Sequence, residues 1–342
     1  MNLKIFTVFL FFCLSLSTVF PQTKEKDTLF IATWNLENLF DTVHDPGKKD
    51  EEFTPESIKE WTPQRLNVKL HNLASIIKMM NNGKGPDILG VTEVEHRALL
   101  DSMIAKYLPD KNYDVAYMES PDNRGIDNGI IYNSKKLKLI NVIGDTVRLS
   151  ANFPTRLILD ANFEYGKDTI RVFENHWPSR IGGAERSQIN RIEAAELLKS
   201  LVDRYYSLNH STDIVIMGDF NDMPGNISIK DTLGADSTIC TPDENKSKHI
   251  LFNLAYKDFS EGLGTYKYRD EWDMLDQIII SKNMVEGKHI KYLCGSFEIF
   301  KPEIMITKSG KYEGTPFPTY GGNHYLGGYS DHFPVVAKFI IN

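Results

Sequence analysis

Positive charge, cysteine and long apolar runs are all scarce in this chain of 342 residues. Lysine and arginine number 39 against 46 aspartates and glutamates, for a formal net charge of −7. That balance excludes a surface that coats nucleic acid through a global positive field. A polyanionic substrate would have to be held by a local groove and a metal ion. The three cysteines leave at most one disulfide. Cys13 falls in the leader described next. Cys240 and Cys294 remain, and an oxidising compartment permits a bridge between them; two buried thiols fit equally well, and spacing does not decide. The extended apolar run at 5–14 falls short of the roughly 20 residues that a spanning helix needs. With Lys4 before it and Ser15, Ser17 and Thr18 after it, it reads as a secretory signal peptide over 1–21, with Gln22 starting the mature chain. Phe12 is too bulky for a lipoprotein acceptor site ahead of Cys13, so no stable membrane anchor is expected. Cleavage removes one lysine and no acid, which moves the charge from −7 to −8. The mature protein is expected to be periplasmic or secreted. Repeats, low-complexity tracts and a convincing linker are also lacking, so 22–342 reads as one domain. Its composition, 41% hydrophobic and 25% charged, is ordinary for a globular protein.

What is present is a long succession of short strands. Apolar or alternating runs predict strands at 29–34, 87–94, 114–118, 129–133, 137–143, 156–163, 169–174, 213–217, 274–281 and 335–341, with Gly166-Lys167-Asp168 turning a hairpin. Leu66, Leu70, Leu73, Ile76, Ile77 and Met80 have helical spacing, which predicts a helix over 64–80. Two more helices are expected at 96–107 and 184–206. Many strands with few, long helices argue against a doubly wound parallel sheet. They suit an α/β chain of two packed, mainly antiparallel β-sheets with helices outside. The acidic stretch 41–60 reads as a solvated insertion, because Asp45, Asp50, Glu51 and Glu52 do not match calcium-loop spacing. The polar stretch 222–256 is expected to cross the surface.

Polar residues recur where the apolar runs end, the positions at which α/β enzymes gather chemistry from distant segments. Glu93 closes Ile88-Leu89-Gly90-Val91-Thr92, and Glu37 closes Trp34-Asn35-Leu36. Two carboxylates with water suit Mg²⁺, an oxygen-seeking ion, and Asp331 would complete the shell. Asp276 enters the apolar run Gln277-Ile278-Ile279-Ile280, where an acid is costly unless paired. His332 is the expected partner, since Asp331 is adjacent in the chain and its side chain diverges from the ring. His176 ends a strand before Trp177-Pro178-Ser179-Arg180, a setting that points to phosphate. Asp219 and Asn221 alternate after a strand and so face one side. One suits the attacking water or the metal, the other a phosphate oxygen. Taken singly, each of these has a structural alternative. Their recurrence at strand ends favours a divalent-metal hydrolase of phosphate esters.

The ordered set Trp34-Asn35…Glu37, Glu93, Asn175-His176, Gly218-Asp219-Phe220-Asn221, Leu275-Asp276-Gln277-Ile278 and Ser330-Asp331-His332-Phe333-Pro334 resembles the endonuclease/exonuclease/phosphatase superfamily, in its deoxyribonuclease-I-like form. The resemblance covers nearly the whole mature chain. It implies a four-layer sandwich with the site at one edge of the two sheets. It implies Glu93 as principal metal ligand, Glu37 assisting, and Mg²⁺ as the ion, with Mn²⁺ or Ca²⁺ as alternatives. Asn35 and Asn221 would hold phosphate, Asp219 would orient or deprotonate water, and Asp276–His332 would form a dyad. His176 would stabilise charge or help the leaving group, with Asp127 the expected acid beside it. Arg156 would contact phosphate. Arg180 and Arg191 would bind substrate or hold the surface and helix ends. The chain departs from the pattern at Val91-Thr92-Glu93, where nucleases carry Gln-Glu. Trp177-Pro178-Ser179-Arg180 with Gly182-Gly183 resembles a bacterial, often secreted subgroup. The expected substrate is a phosphodiester, nucleic acid first. A phospholipid or inositol-phosphate esterase of the same superfamily is the alternative, for which Trp272 or Phe317-Pro318 would have to supply an exposed aromatic hairpin. A binding protein that kept the fold without turnover is a further alternative. No obligate protein partner is expected.

Overall fold

Runs of β-branched and aromatic residues become strands because their side chains fill a pleated, half-buried surface. In the computed structural model, which describes Met1, 27–237 and 250–342, they follow the predicted order. β1 (Thr28–Leu39) leads through α1 (Pro63–Met79) to β2 (Ile88–Val94), α2 (Arg97–Tyr107), β3 (Tyr113–Tyr117), β4 (Asp127–Asn133) and β5 (Lys138–Asp145). β6 (Ile158–Tyr165) and β7 (Asp168–His176) form the expected hairpin, followed by α3 (Ala184–Leu208) and β8 (Asp213–Asp219). Next come β9 (Ala235–Ser237), β10 (Leu251–Asn253), α4 (Tyr256–Ser260) and the hairpin of β11 (Tyr266–Tyr268) with β12 (Glu271–Asp273). The chain closes with β13 (Asp276–Ser281), α5 (Lys282–Glu286), β14 (Ile290–Tyr292), β15 (Glu298–Ile299), β16 (Tyr320–Gly321), β17 (His324–Tyr325) and β18 (Val335–Ile341). The leader, Cys13 and Cys240 lie outside the described residues. Cys294 is disulfide-bonded.

Two large sheets result. One has the order β14-β18-β1-β2-β4-β3, with β15 also on β18; the other runs β5-β6-β7-β8-β13-β10-β9. Most neighbours are antiparallel, as expected, but β1 with β2 and β7 with β8 are parallel pairs at the two sheet centres, and the short β9 pairs parallel with β10. The inner faces meet through β1, β2 and β4 against β7, β8 and β13, burying Ile31, Ile88, Val172, Val215 and Ile278. Leu70, Leu73, Ile77, Leu100 and Met103 of α1 and α2 join that core. Ala194, Leu198 and Val202 of α3 pack on Phe173, Ile214 and Ile216 of the second sheet. The result is the four-layer arrangement of helices, sheet, sheet and helix. At the start of α1, Thr62 Oγ1 accepts the Arg65 N–H (3.3 Å) and proline occupies the first turn.

Two expectations need qualification. The segment 41–60 is exposed or half-buried along most of its length, as expected, but it is anchored at two points: Phe53 stacks on Phe40 (centroids 4.2 Å apart) and meets Trp61 edge-on, while Asp50 is buried against His44. Nor is 222–256 only a surface crossing. Asp222 is buried, and β9 and β10 add two strands to the second sheet.

Strand direction locates the chemistry. Parallel pairing brings the C-terminal ends of β1, β2, β7 and β8 to one edge of the sandwich. β13 and β18 run antiparallel to β8 and β1, so their N-terminal ends reach the same edge. Asn35, Glu37, Glu93, His176, Asp219, Asp276, Asp331 and His332 occupy those ends.

Candidate active site

β1 and β2 do not reach this edge as regular strands. Their pairing slips between Asn35 and Leu39, and the pairing of β2 with β4 slips between Thr92 and Val94. Glu37, Asn38 and Glu93 have φ of 53°, 50° and 61°, as does Asn221 at 50° beyond β8. Non-glycine residues rarely adopt this left-handed region, which costs about 1–3 kcal/mol each unless the surroundings hold it. Bulges of this kind re-aim a side chain out of the pleat. β8 needs Gly218 (φ 131°), since a Cβ there would lie 2.0 Å from the Asn175 carbonyl oxygen of β7.

The edge opens into a cavity of about 850 Å³ lined by Asn35, Glu93, Arg124, His176, Arg180, Asp219, Asn221, Tyr266, Arg269, Asp331 and His332, among others. Asp219 Oδ2 sits at the convergence. It accepts a hydrogen bond from Asn35 Nδ2 (3.0 Å), and the Nε2 atoms of His176 and His332 lie 3.7 Å and 4.0 Å away. Its other oxygen accepts the Asn221 N–H (2.9 Å). Burial pushes the Asp219 pKa up, against the pull of His332. His332 Nδ1 is 2.7 Å from Asp276 Oδ2, which also accepts from Thr265 Oγ1 (2.6 Å). Burial alone would keep this imidazole neutral. The Asp276 carboxylate, with Asp331 and Asp219 beyond it, holds its pKa well above the usual histidine range. The ring lies against Tyr266, with centroids 4.7 Å apart. His176 has the opposite environment. Burial and the cations Arg156 and Arg124 push its pKa well down, and its Nδ1 is buried without a partner. Its proton therefore favours Nε2, which faces Asp219 and Glu93 (3.9 Å).

Glu93 accepts the Asn38 N–H (2.8 Å) and lies 3.8 Å from Arg124 Nη1. Burial works against its charge, but Arg124 and that N–H outweigh burial and hold its pKa below the usual value. Burial pushes Asp331 up to about 7, and the carboxylates of Glu37 and Glu93 add to the shift. Acids crowded in this way suit an oxygen-coordinated divalent cation. Glu93 and Asp331 are the donors facing the cavity, and two carboxylates with retained water are sufficient for Mg²⁺. Glu37 is placed differently from expectation. Its oxygens accept the N–H groups of Thr319 (2.6 Å) and Tyr320 (3.2 Å), with Lys69 Nζ at 3.6 Å. Among the described residues, three ligand atoms within 4.8 Å of one another occur instead at Asp41, Glu95 and His96.

The predicted arginines also divide. Arg180 lines the cavity, donating to the Asn221 carbonyl (2.8 Å) and to Asp273 (3.1 Å). Arg156 lies behind the wall, where it donates to the carbonyls of His176 (3.2 Å) and Trp177 (2.6 Å) and to Asp122 (3.2 Å). Arg191 is buried and pairs with Asp222 at 2.8 Å, tying α3 to the loop after β8. Asn221 Nδ2 donates to the Trp177 carbonyl (3.0 Å). Asp127 is not the acid beside His176, because its oxygens accept the Ser120 N–H (2.6 Å) and the Tyr117 hydroxyl (2.7 Å). Trp272 stacks on Phe333 (6.1 Å), so it is not a free aromatic tip. Sequence reasoning missed Arg124, Tyr266, Thr265 and Lys69. Only Lys69 left a signal there, as a cation among Leu66, Leu70 and Leu73 on the apolar face of α1.

The family model described as "Endonuclease/Exonuclease/phosphatase family" matches residues 30–340. The chain belongs to this family. Solved structures agree at the level of fold. An endonuclease/exonuclease/phosphatase family protein from Bacteroides thetaiotaomicron superposes with a TM-score of 0.58 at 16% identity, covering 93% of this chain and 99% of that one. A mannosyl-6-phosphatase from the same organism gives 0.56 at 14%, covering 91% and 99%. D. rerio TDP2 complexed with single strand DNA product gives 0.55 at 13%, covering 91% and 98%. No curated protein matches the sequence. The family is one of phosphoester hydrolases that depend on divalent metal, which agrees with the acid-rich cavity of this member. Among the described residues, no helix is long and apolar enough to cross a membrane.

Proposed function

We propose that this family member is a divalent-metal-dependent phosphodiesterase that cleaves nucleic acid by in-line attack of water. The observation that carries this reading is the meeting of Asn35, His176 and His332 around one oxygen of Asp219, beside the acids Glu93 and Asp331. Glu93 and Asp331 would hold the ion, Mg²⁺ before Mn²⁺ or Ca²⁺, and when bound it would offset charge growing on the phosphate and leaving oxygen. His332, kept charged and oriented by Asp276, is a fixed cation for a non-bridging oxygen. Asp219 orients the attacking water and takes its proton, since it is the acceptor on which the neighbouring donors converge. Neutral His176 presents its Nε2 proton toward the same space and suits the leaving oxygen. Asn35 and Asn221 hold the phosphate.

Nucleic acid is favoured over other esters by the local cations Arg124, Arg180 and Arg269 in the cavity wall of an otherwise acidic molecule. TDP2 bound to a DNA product supports the same choice. The net charge of −7 favours a second reading, a phosphatase acting on a small sugar phosphate; a fold relative named mannosyl-6-phosphatase supports it. The leader at 1–21 would place the enzyme in the periplasm or outside the cell.

Hydrolysis of bis-p-nitrophenyl phosphate and of a single-stranded oligonucleotide, with and without Mg²⁺, tests the proposal. Mg²⁺ should stimulate both in the wild type. Glu93→Gln should keep the wild-type circular dichroism and lose at least about 100-fold in rate, the scale of removing a group that stabilises transition-state charge. Full activity of Glu93→Gln in metal-free buffer would refute the assignment.

A further inference from the structure

A second cavity, of about 670 Å³, borders the first. Asp331 and Tyr266 belong to both walls, so a phosphoryl group seated beside Asp331 has a chamber on each side. The far chamber is built mostly by the segment between β15 and β18, and apart from Asp331 the mechanism uses none of its lining.

Its walls are firmly held. The Tyr320 hydroxyl donates to the Lys59 carbonyl (3.0 Å), and the ring tilts on Trp61 at 5.9 Å. Phe317 donates its N–H to Met305 (2.7 Å) and accepts from Tyr329 (2.7 Å). Gly328 passes so close that a Cβ there would meet the carbonyl oxygens of Phe317 and Pro318 at 2.2 Å. At the mouth, Tyr312 is 60% exposed and Leu326 is partly exposed. The two threonine hydroxyls are committed to the backbone. Thr315 Oγ1 donates to the Tyr312 carbonyl (2.7 Å), and Thr307 Oγ1 donates to that of Pro316 (3.2 Å). Lys267 is the one cation among the lining residues.

Four aromatic rings, from Tyr266, Tyr312, Phe317 and Tyr320, with both threonine hydroxyls committed and one cation, match a sugar ring poorly, since that ring needs hydrogen bonds around its whole edge. They match a flat heterocycle, which needs faces to stack on and one or two edge partners. We infer that this chamber seats the base of a nucleotide esterified to the scissile phosphate. The enzyme thereby selects a diester with a nucleobase on one particular arm. This rests on the phosphodiesterase reading above and names the group that the site recognises.

Binding separates the two. Wild-type protein in Mg²⁺ is titrated calorimetrically with thymidine 5′-monophosphate, 2-deoxyribose 5-phosphate and octyl phosphate. The nucleotide should bind about tenfold more tightly than the sugar phosphate, the scale of one stacked base. Tyr312→Ala, which removes a stacking face, and Leu326→Trp, which fills the chamber, should each erase most of that difference. Neither should change the affinity for the sugar phosphate, nor the rate on a dinucleotide carrying tetrahydrofuran in place of both bases. Equal affinity for nucleotide and sugar phosphate overturns the inference, as does a preference that survives both substitutions. Tighter binding of octyl phosphate overturns it in favour of a lipid arm. In each case continued cleavage of the abasic dinucleotide leaves the phosphodiesterase reading standing. Failure to cleave any diester refutes that reading instead, while base selectivity in the titrations still reports on the chamber.

Discussion

Asp219 and Asp276 are both buried, and the His332 ring lies between them, 4.0 Å from Asp219 and 2.7 Å from Asp276. Asp276 is the strongest influence raising the His332 pKa, so the charge on His332 depends on that contact. In a ¹⁵N NMR titration the wild-type His332 ring should remain protonated through pH 7. In Asp276→Asn its midpoint should fall, and turnover should drop by about 100-fold. An unmoved midpoint would contradict the assigned pairing. Asp127 gives a second pH test, away from the chemistry. Burial pushes its pKa up from 3.8 to about 7 in the folded chain, against the hydrogen bonds from Ser120 and Tyr117. Between those values the unfolded chain gives up its proton before the folded chain does. The stability due to this group is therefore complete at the acid end of the window and is lost as pH rises through it. Asp127→Asn should flatten that limb of the Tm–pH curve. A variant whose Tm falls with pH as steeply as the wild type over this range would contradict the account.

At the level of elements, the site depends on two parallel pairs and on the bulges that end β1 and β2. Gly218→Ala forces β8 away from β7, since the added Cβ would lie on the Asn175 carbonyl. Both Asp219 and His176 are carried by this pairing. The substitution should cost at least about 1–3 kcal/mol, the scale of a strained backbone site. It should also lose activity, as measured by denaturant unfolding and by hydrolysis of bis-p-nitrophenyl phosphate. Wild-type values for both would contradict this role for the glycine. Most strands and the three long helices were legible in the sequence, because apolar period and length reveal an element whose face is buried. β9 and β10 were not, because three-residue strands in a polar stretch carry no period. The bulges at Glu37 and Glu93 were equally hidden. Pairing with distant strands decides them, and local alternation does not record it. Glu37 therefore reads in the sequence as a ligand, while the fold uses it to anchor Thr319 and Tyr320. The resemblance implied Arg156 as a phosphate contact, and it lies behind the cavity because the carbonyls of His176 and Trp177 claim its donors.

For the whole molecule, one sheet built from both ends of the chain and one built from its middle contribute to one edge. Glu93, Asp331 and His332 come from the first and stand across from His176, Asp219 and Asp276 of the second. Family membership accounts for the shared frame. The cavity wall carries arginines at 124, 180 and 269 and borders the aromatic second chamber. The acid cluster at Asp41, Glu95 and His96 is the competing location for a cation, and it carries its own mark of crowding, with Glu95 pushed up to about 8, chiefly by burial. Anomalous diffraction from crystals soaked in Mn²⁺ separates the two. A strong peak between the carboxylates of Glu93 and Asp331 is the predicted result. A peak confined to Asp41, Glu95 and His96, with none in the main cavity, would contradict the account.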